Sequence, residues 1–286
     1  MVSGKTRVCG LIGDPVEHTM SPVMHNAAFK DAGIDYLYLP FRVEGENLSK
    51  AIEGMRALNI RGLNVTIPHK VAVMQFLDEL DPLAKKIGAV NTIVNDSGVL
   101  TGYNTDASGF LQALLEKGIE PDGKEAVILG AGGASRAISF ALADRGARLV
   151  ILNRLLELDW ARDLAGRISQ HLAGEVEALE LKRENLERVL DKADILVNAT
   201  SVGMTPSTDE TPVAADLLRP GLVVFDIVYN PLKTRLLVEA EAAGAKTISG
   251  VDMLVWQGAI AFEKWTGRKA PVELMKQETI RLLEKT

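Results

Sequence analysis

The stretch VILGAGGAS, at Val127–Ser135, decides which fold this sequence predicts. Its apolar residues predict a strand that meets a glycine-rich turn, and helix-favouring residues follow at once, which is the context that a dinucleotide-binding fingerprint requires. Gly130 permits the tight turn, and Gly132 lets a pyrophosphate approach the backbone and the amides of the following helix. Ser135 occupies the third glycine position and departs from the fingerprint, although the small Ala134 keeps helix and strand close. We therefore predict a nucleotide-binding turn rather than a plain structural turn.

Strand and helix patterns alternate after this turn. The region reads as about six strands with helices between them, which is typical of a doubly wound sheet. The predicted strands are 125–130, 147–154, 175–181, 194–200, 222–228 and 245–249, and helices are predicted at 135–146 and 158–172. The charged stretch EALELKRENLER, at 177–188, reads as solvated.

A separate alternating series precedes the glycine-rich turn and predicts a mainly parallel α/β sheet. Its predicted strands are 7–13, 35–41 and 60–66, and its predicted helices are 22–33, 46–58 and 105–117. Helical segments are expected from the stretch PHK to Lys86. Two short extended stretches then follow, at 89–95 and 99–104, joined by a turn at 96–98.

The sequence therefore predicts an α/β protein of two domains. The segment GIEPDGK, at 118–124, reads as a break between the two series. We expect residues 1–106 to form the first domain and residues 107–251 to form a doubly wound Rossmann domain. Two helices are predicted in the tail, at 253–267 and 271–285, and the segment 252–286 is expected to pack back on the first domain.

Composition and charge narrow the function classes. The chain has 286 residues, a net charge of −6 and no basic cluster, so nucleic acid is an unexpected partner. No apolar run approaches the roughly 18 residues of a membrane span, and the first residues lack a signal-peptide layout. The lone Cys9 cannot form an internal disulfide, which suits the cytoplasm. No cluster of His, Cys, Asp and Glu has metal-ligand spacing, so no metal is expected.

The end of the strand after the glycine-rich turn selects the nucleotide. An NAD site usually offers a carboxylate there to the ribose 2′-hydroxyl, but this chain has Asn153 and Arg154. A guanidinium stabilises a 2′-phosphate by charge-assisted hydrogen bonds, which favours NADP. The alternative is that Arg154 is an ordinary exposed surface residue.

Small polar side chains collect at strand ends and turns of the first series, where α/β proteins usually bind ligands. The hydroxyls of Thr19 and Ser21 stand at a predicted helix start, where they cap the helix or bind a carboxylate. The other members of this set are Asn64, Thr66, Lys70, Asn91 and Asp106. A partly desolvated lysine beside a carboxylate can exchange a proton with a reacting alcohol.

Eight sequence blocks together resemble the shikimate dehydrogenase family. They are SPVMHN, NVTIPHK, GAVNT, NTD, GAGGASRA, NATSVGM, DIVYNPLKT and GVDMLVWQGA, and they occur in family order from about Gly10 to about Gly267. The resemblance implies reversible reduction of 3-dehydroshikimate to shikimate with NADPH, a step of aromatic amino acid biosynthesis. It leaves open whether the protein is a monomer or a homodimer.

The resemblance also implies roles for individual residues. Lys70 matches the catalytic lysine with Asp106 as its partner, and Thr19 and Ser21 match the hydroxyls that hold the substrate carboxylate. The residues matching the rest of the substrate pocket are Asn64, Thr66, Asn91, Asp106, Tyr229 and Gln257. The residues matching the nucleotide site are Gly130, Ala131, Gly132, Gly133, Ala134, Asn153, Arg154, Thr200, Ser201, Ile227 and Gly250. Tyr229 either packs or bonds the substrate, and His25 is expected to cap or pack within the first helix.

Two departures from the family pattern leave alternatives open. Thr19 replaces the first serine of Ser-x-Ser, and its additional methyl could alter the choice between shikimate and quinate. The nucleotide loop reads Asn153-Arg154-Leu155-Leu156-Glu157 and lacks the usual threonine and second basic residue, which predicts weaker discrimination for NADP over NAD. The alternatives are a quinate/shikimate dehydrogenase with mixed NAD and NADP use, or a non-catalytic NADP-binding sensor, against which the set of Lys70, Asp106 and Thr66 argues.

Overall fold

The computed structural model divides the chain into two compact units. It describes residues 2–172, 174 and 176–285. Met1 of the predicted first domain, Ala173 and Glu175 of the predicted Rossmann domain and Thr286 of the tail lie outside the described residues. The first unit comprises the residues up to Gly109 and those from Val255 onward, and the second unit comprises Phe110–Leu254. The predicted α/β class with two domains and a Rossmann-type sheet is confirmed.

The first unit contains a mixed sheet of six strands. The strands are β1 (Arg7–Gly13), β2 (Tyr36–Arg42), β3 (Gly62–Val65), β4 (Glu79–Leu80), β5 (Thr92–Asp96) and β6 (Val99–Tyr103). Their order is β2-β1-β3-β5-β6-β4. Strand β1 pairs in parallel with β2 and β3, whereas β5 is antiparallel to β3 and β6. The two extended stretches predicted at 89–95 and 99–104 are observed as the antiparallel pair β5 and β6, but β4 lies within the segment that was expected to be helical.

Four α-helices of the described residues lie wholly in the first unit: α1 (Ser21–Asp31), α2 (Leu48–Ala57), α3 (Pro82–Ile87) and α10 (Val272–Leu283). Helices α4 (Thr105–Glu116) and α9 (Gly250–Thr266) each have residues in both units. The stripe of α2 is Leu48, Ile52 and Met55, at helical spacing, and it packs with Leu63 and Val65 of β3. Helix α10 contacts α1, so the predicted return of the tail to the first domain is confirmed.

Trp265, near the end of α9, fixes that helix against the sheet of the first unit. Its side chain is buried, and its indole Nε1 donates a hydrogen bond to the carbonyl of Ile93 at 3.0 Å. The ring lies directly over Gly62, where an added Cβ would be 2.0 Å from Nε1. A glycine at this position of β3 is therefore required by the indole and not by its backbone angles.

The second unit contains a parallel sheet of six strands. They are β7 (Glu125–Leu129), β8 (Arg148–Asn153), β9 (Val176–Glu180), β10 (Ile195–Asn198), β11 (Val223–Asp226) and β12 (Lys246–Ile248). The order β12-β11-β10-β7-β8-β9, with all neighbours parallel, is the doubly wound order, because the chain moves outward in both directions from β7.

Four helices belong wholly to the second unit. They are α5 (Gly133–Asp144), α6 (Leu158–His171), α7 (Arg183–Leu190) and α8 (Arg235–Ala242). Helix α7 begins within the stretch that the sequence suggested was merely solvated, and this interpretation was incomplete. Its charged residues face water, but Leu186, Val189 and Leu190 are buried in the core of the sheet. Within the described residues, no helix is long and apolar enough to cross a membrane.

The Gly62–Trp265 contact yields a test of stability. Gly62→Ala forces the indole or β3 to move, so the free energy of unfolding should fall by about 1–3 kcal/mol, as in other overpacked cores. Gly54→Ala in α2 is the matched control, because its Cβ would meet no atom within 4 Å. The control should be stabilised by about 0.5–1 kcal/mol through helix propensity. Urea unfolding measures both changes, and a Gly62→Ala protein as stable as the wild type would contradict this packing.

Candidate functional site

A buried ion pair joins Lys70 and Asp106 in the first unit. Lys70 Nζ lies 2.7 Å from Asp106 Oδ2, and the two side chains are 15 % and 8 % exposed. Lys70 follows β3 by five residues, and Asp106 stands in the first turn of α4. The structure therefore brings together the two residues that were predicted to exchange a proton with a substrate.

The segment that carries Lys70 is anchored by its neighbour. His69 is buried, and its Nε2 lies 2.6 Å from the carbonyl oxygen of Val43. The backbone of Lys70 is held as well, because its carbonyl accepts a hydrogen bond from the amide of Val90 at 2.8 Å. His69 thus fixes the loop after β3, a role that its position next to a site motif did not reveal.

Asn91 holds the start of α4, and with it Asp106. Its Oδ1 accepts a hydrogen bond from the amide of Thr105 at 2.7 Å, and its Nδ2 donates to Thr105 Oγ1 at 3.0 Å. Asn91 is only 2 % exposed, so these bonds are shielded from water. Its side chain therefore positions the residue before Asp106, in addition to the predicted substrate contact.

Asn64 belongs to the same buried polar network. Its Nδ2 donates to Thr92 Oγ1 at 3.1 Å, and its Oδ1 accepts a hydrogen bond from the hydroxyl of Tyr38 at 2.7 Å. The network fixes which edge of the amide faces each neighbour. Sequence reasoning missed Tyr38, Thr92 and Thr105, because each reaches the site through a partner that is distant along the chain.

Tyr38 is held in turn by His25. The two rings stack with centroids 4.4 Å apart and an angle of 9° between their planes. His25 is fully buried, burial lowers its pKa to about 3, and in the described residues neither ring nitrogen has a hydrogen-bond partner. The ring is therefore neutral. Of the two roles expected for His25, packing is the one the structure supports.

The remaining predicted substrate residues of the first unit are Thr19, Ser21, Thr66 and Gln257. Thr19 is half-buried, and its Oγ1 accepts a hydrogen bond of 3.3 Å from the amide of Ser21. The N-cap position of α1 is Met20, so neither hydroxyl occupies the capping position. Thr66 follows β3 and is half-buried, and Gln257 is buried on α9.

The glycine-rich turn has the geometry that the fingerprint predicts. Gly130 has φ = +96°, a left-handed conformation, and an added Cβ would lie 3.1 Å from the carbonyl oxygen of Ala199. Gly132 is the N-cap of α5, and space around it is open. Ser135 explains its departure from glycine, because its buried hydroxyl donates to the carbonyl of Gly130 at 2.6 Å.

The loop after β8 places Arg154 at the surface. Its side chain is 74 % exposed, and its guanidinium pairs with Glu157, with Nη2–Oε1 at 2.7 Å and Nε–Oε2 at 3.3 Å. Asn153 is buried and donates from Nδ2 to the backbone carbonyl of Glu157 at 2.8 Å. Leu155 and Leu156 between them are strongly exposed. The sequence analysis placed Glu157 in a loop that departs from the family pattern, but it did not identify Glu157 as the partner of Arg154.

Asp226, at the end of β11, ties together two predicted cofactor loops. Its Oδ1 accepts from Asn198 Nδ2 at 2.9 Å and from the amide of Val228 at 3.0 Å, and its Oδ2 accepts from Thr234 Oγ1 at 2.6 Å. Asn198 Oδ1 in turn accepts from Thr200 Oγ1 at 2.6 Å. The loop with Thr200 and Ser201 is therefore connected to the loop with Ile227 and Tyr229.

Gly250, at the start of α9, packs closely against this second loop. An added Cβ at Gly250 would lie 2.3 Å from the carbonyl oxygen of Ile227, so only glycine fits at the start of α9. Tyr229 is half-buried in the second unit, and burial raises its pKa.

The other predicted cofactor residues lie in the glycine-rich turn and at the start of α5. Ala131 is buried in the glycine-rich turn, while Gly133 and Ala134 form the half-buried first turn of α5.

Asp226 should make stability depend on pH. Burial is the largest influence on its carboxyl and raises the pKa from 3.8 to about 6. The folded protein therefore binds the Asp226 proton more tightly than the unfolded chain does, and this tighter binding stabilises the fold at low pH. The stabilisation is lost as the pH rises from about 4 to above 6.

Asp226→Asn is the variant that isolates this effect. The amide keeps Oδ1 for Asn198 and Val228, and its Nδ2 can donate to Thr234. The free energy of unfolding of the wild type, measured against this variant, should fall by up to about 3 kcal/mol between about pH 4 and pH 7. A difference that does not change with pH would show that Asp226 titrates alike in both states.

These features define a class of two-unit α/β protein that combines a Rossmann nucleotide-binding unit with a second α/β unit. The Rossmann unit has a glycine turn after β7 and an arginine after β8. The other unit contains a buried lysine–carboxylate pair. In the part of the chain that the structure describes, no group of three or more His, Cys, Asp or Glu residues could hold a metal ion.

Comparison with known proteins identifies the family. Family models match residues 11–93 as a shikimate dehydrogenase substrate binding domain, 113–229 as a shikimate/quinate 5-dehydrogenase and 250–278 as a shikimate 5′-dehydrogenase C-terminal domain. The shikimate dehydrogenase (NADP⁺) of Methanopyrus kandleri is 53 % identical over 98 % of this chain and 97 % of its own. The chain belongs to the shikimate dehydrogenase family.

Solved structures agree with this assignment. A shikimate dehydrogenase crystallised with NADP⁺ has a TM-score of 0.93 at 48 % identity, covering 99 % of this chain and 98 % of that one. The shikimate 5-dehydrogenase of Listeria monocytogenes, in complex with shikimate and NAD, has a TM-score of 0.91 at 43 % identity, covering 96 % and 97 %. The resemblance stated from the eight sequence blocks is confirmed.

Proposed function

We propose that this protein is an NADP-dependent shikimate dehydrogenase, which reversibly reduces 3-dehydroshikimate to shikimate. The observation that carries the proposal is the 2.7 Å pair of Lys70 and Asp106, buried in a chain of this family. The first unit provides the substrate site and the second provides the NADP site. A non-catalytic sensor would have no need to retain a desolvated ammonium paired to a carboxylate, because burying both charges is costly.

Lys70 supplies the proton that the reaction needs. Reduction of a carbonyl leaves an alkoxide oxygen, and the Lys70 ammonium can donate a proton to it. One N–H of Nζ points to Asp106, which leaves the others for the substrate oxygen. Asp106 keeps the ammonium at a fixed place and is itself fixed by the Asn91–Thr105 bonds at the start of α4.

Polar groups of the first unit hold the substrate. The hydroxyls of Thr19 and Ser21 stand at the start of α1, where backbone amides also favour a carboxylate. Such local donors are needed because the net charge of −6 repels an anion. The other substrate contacts proposed for the first unit are Asn64, Thr66, Asn91, Asp106 and Gln257.

The second unit fits NADP. Gly130 admits no side chain, Gly132 is open at the N-terminus of α5, and the exposed Arg154 can reach a 2′-phosphate. NADP, when bound, supplies or accepts the hydride. The residues proposed to hold it are Gly130, Ala131, Gly132, Gly133, Ala134, Asn153, Arg154, Thr200, Ser201, Ile227 and Gly250.

Steady-state kinetics test this function directly. Purified protein should oxidise shikimate with NADP⁺ at a higher kcat/KM than quinate with either nucleotide. Quinate is the second candidate substrate, because Thr19 carries a methyl where the family has serine. The absence of turnover with every pair of shikimate or quinate and NADP⁺ or NAD⁺ would reject the proposal.

Lys70→Met tests the proton donor. The thioether keeps most of the volume of the side chain but has no proton to give, so kcat should fall by roughly 10²–10⁴-fold, the usual contribution of general acid catalysis, while NADPH affinity stays unchanged. Lys124→Met is the matched control, since Lys124 is an exposed lysine paired with Asp194 at 3.2 Å. A variant with near-normal kcat and a raised KM would make Lys70 a binding residue only.

Arg154→Ala tests the nucleotide site. Loss of the charge-assisted bonds to the 2′-phosphate should weaken NADPH binding by about 1.5–3 kcal/mol and leave NADH nearly unchanged. Arg162→Ala, which removes another exposed arginine with an acidic partner three residues away, serves as the control. Fluorescence titration measures both affinities, and equal losses for NADPH and NADH would mean that Arg154 is structural.

A further inference from the structure

We propose that Glu157 sets the strength of the preference for NADP over NAD by competing with the 2′-phosphate for Arg154. This inference rests on the proposed NADP site of the second unit. In the structure both oxygens of the Glu157 carboxylate face the Arg154 guanidinium, at 2.7 and 3.3 Å. The Nε–Nη2 edge of the guanidinium, one of its two forked edges, is therefore already engaged by Glu157.

The backbone of Glu157 is held in the turn, and its carboxylate lies next to the Arg154 guanidinium. The amide of Glu157 donates to the carbonyl of Arg154 at 2.9 Å, and Asn153 Nδ2 binds the carbonyl of Glu157 at 2.8 Å. The side chain of Glu157 is 27 % exposed, compared with 74 % for Arg154. When a ligand binds, Arg154 can therefore reorient more freely than Glu157 can withdraw.

NADP and NAD interact differently with the Arg154–Glu157 ion pair. A 2′-phosphate adds negative charge beside the carboxylate, so it is attracted by Arg154 and repelled by Glu157. When it binds, the Arg154–Glu157 bonds must break or the guanidinium must be shared between the phosphate and the carboxylate. A ribose 2′-hydroxyl carries no charge and can donate a hydrogen bond to a carboxylate, as in NAD sites. Both effects of Glu157 reduce the advantage of NADP.

Nothing else in the turn offsets this carboxylate. Leu155 and Leu156 have no polar side-chain atoms and are 64 % and 98 % exposed. Arg154 is thus the one cation of the segment 154–157, and Glu157 is the one anion. The choice of nucleotide at this turn depends on the balance between these two side chains.

Binding without substrate tests the inference independently of catalysis. Calorimetry would compare 2′,5′-ADP with 5′-AMP, and NADP⁺ with NAD⁺, on the wild type and on Glu157→Gln. The variant should bind 2′,5′-ADP and NADP⁺ about three- to tenfold more tightly, because a surface ion pair and one charge repulsion are removed. Its affinities for 5′-AMP and NAD⁺, which both carry the free 2′-hydroxyl, should be equal to those of the wild type or lower.

Glu278→Gln is the matched control. Glu278 pairs with Arg281 at 2.9 Å and the same spacing along a helix, and the exposures of 66 % and 24 % resemble those of the Arg154–Glu157 pair. This variant changes the net charge equally but lies in the first unit, so its nucleotide affinities should equal those of the wild type. A similar gain in the control would assign the effect to overall charge and overturn the inference.

The outcomes separate this inference from the proposed function. If Glu157→Gln binds 2′,5′-ADP more weakly or equally, Glu157 positions Arg154 or is neutral, and the inference is wrong while shikimate turnover can still be observed. If Glu157→Gln binds it more tightly but no variant oxidises shikimate, the inference stands and the proposed reaction fails.

Discussion

The ion pair of Lys70 and Asp106 is the interaction on which the first unit's site depends. Both charges are largely removed from water, which costs free energy that only close geometry and further hydrogen bonds can offset. The structure provides these on both sides. His69 and Val90 hold the backbone around Lys70, and Asn91 holds the start of α4 next to Asp106. A displaced loop on either side would leave one charge buried without its partner.

Local patterns predicted the fold but not these supporting bonds. The strand at 7–13 was predicted with its observed bounds, because an apolar run between turn residues needs no knowledge of its partners. The bond between Asn64 and Thr92, in contrast, joins residues 28 positions apart on antiparallel strands. Strand β4 was missed because two residues paired with β6 leave no periodic signal. Side-chain roles that arise from pairing are visible only after the sheet is assembled.

The two charged pairs proposed to govern function differ in their surroundings. Lys70–Asp106 is buried, so salt screens it little, whereas Arg154–Glu157 lies at the surface, where an ion pair contributes little and is screened. The family motifs predicted that Lys70 and Asp106 would act together and that Arg154 would bind the nucleotide. The motif could not predict that Glu157 engages Arg154, because a side-chain conformation in an exposed turn is decided by neighbours rather than by periodicity. In the function that we propose, catalysis rests on a rigid pair and nucleotide choice on an adjustable one.

We propose that Lys70 and Asp106 act as one unit in proton transfer. A double-mutant cycle with Lys70→Met and Asp106→Asn, read as kcat for the reduction of 3-dehydroshikimate by NADPH, tests it most directly. Groups that work as a unit show strongly non-additive losses. We expect the double variant to be about as slow as the slower single variant. Losses that multiply across the two substitutions would contradict it, because each residue would then contribute independently of the other.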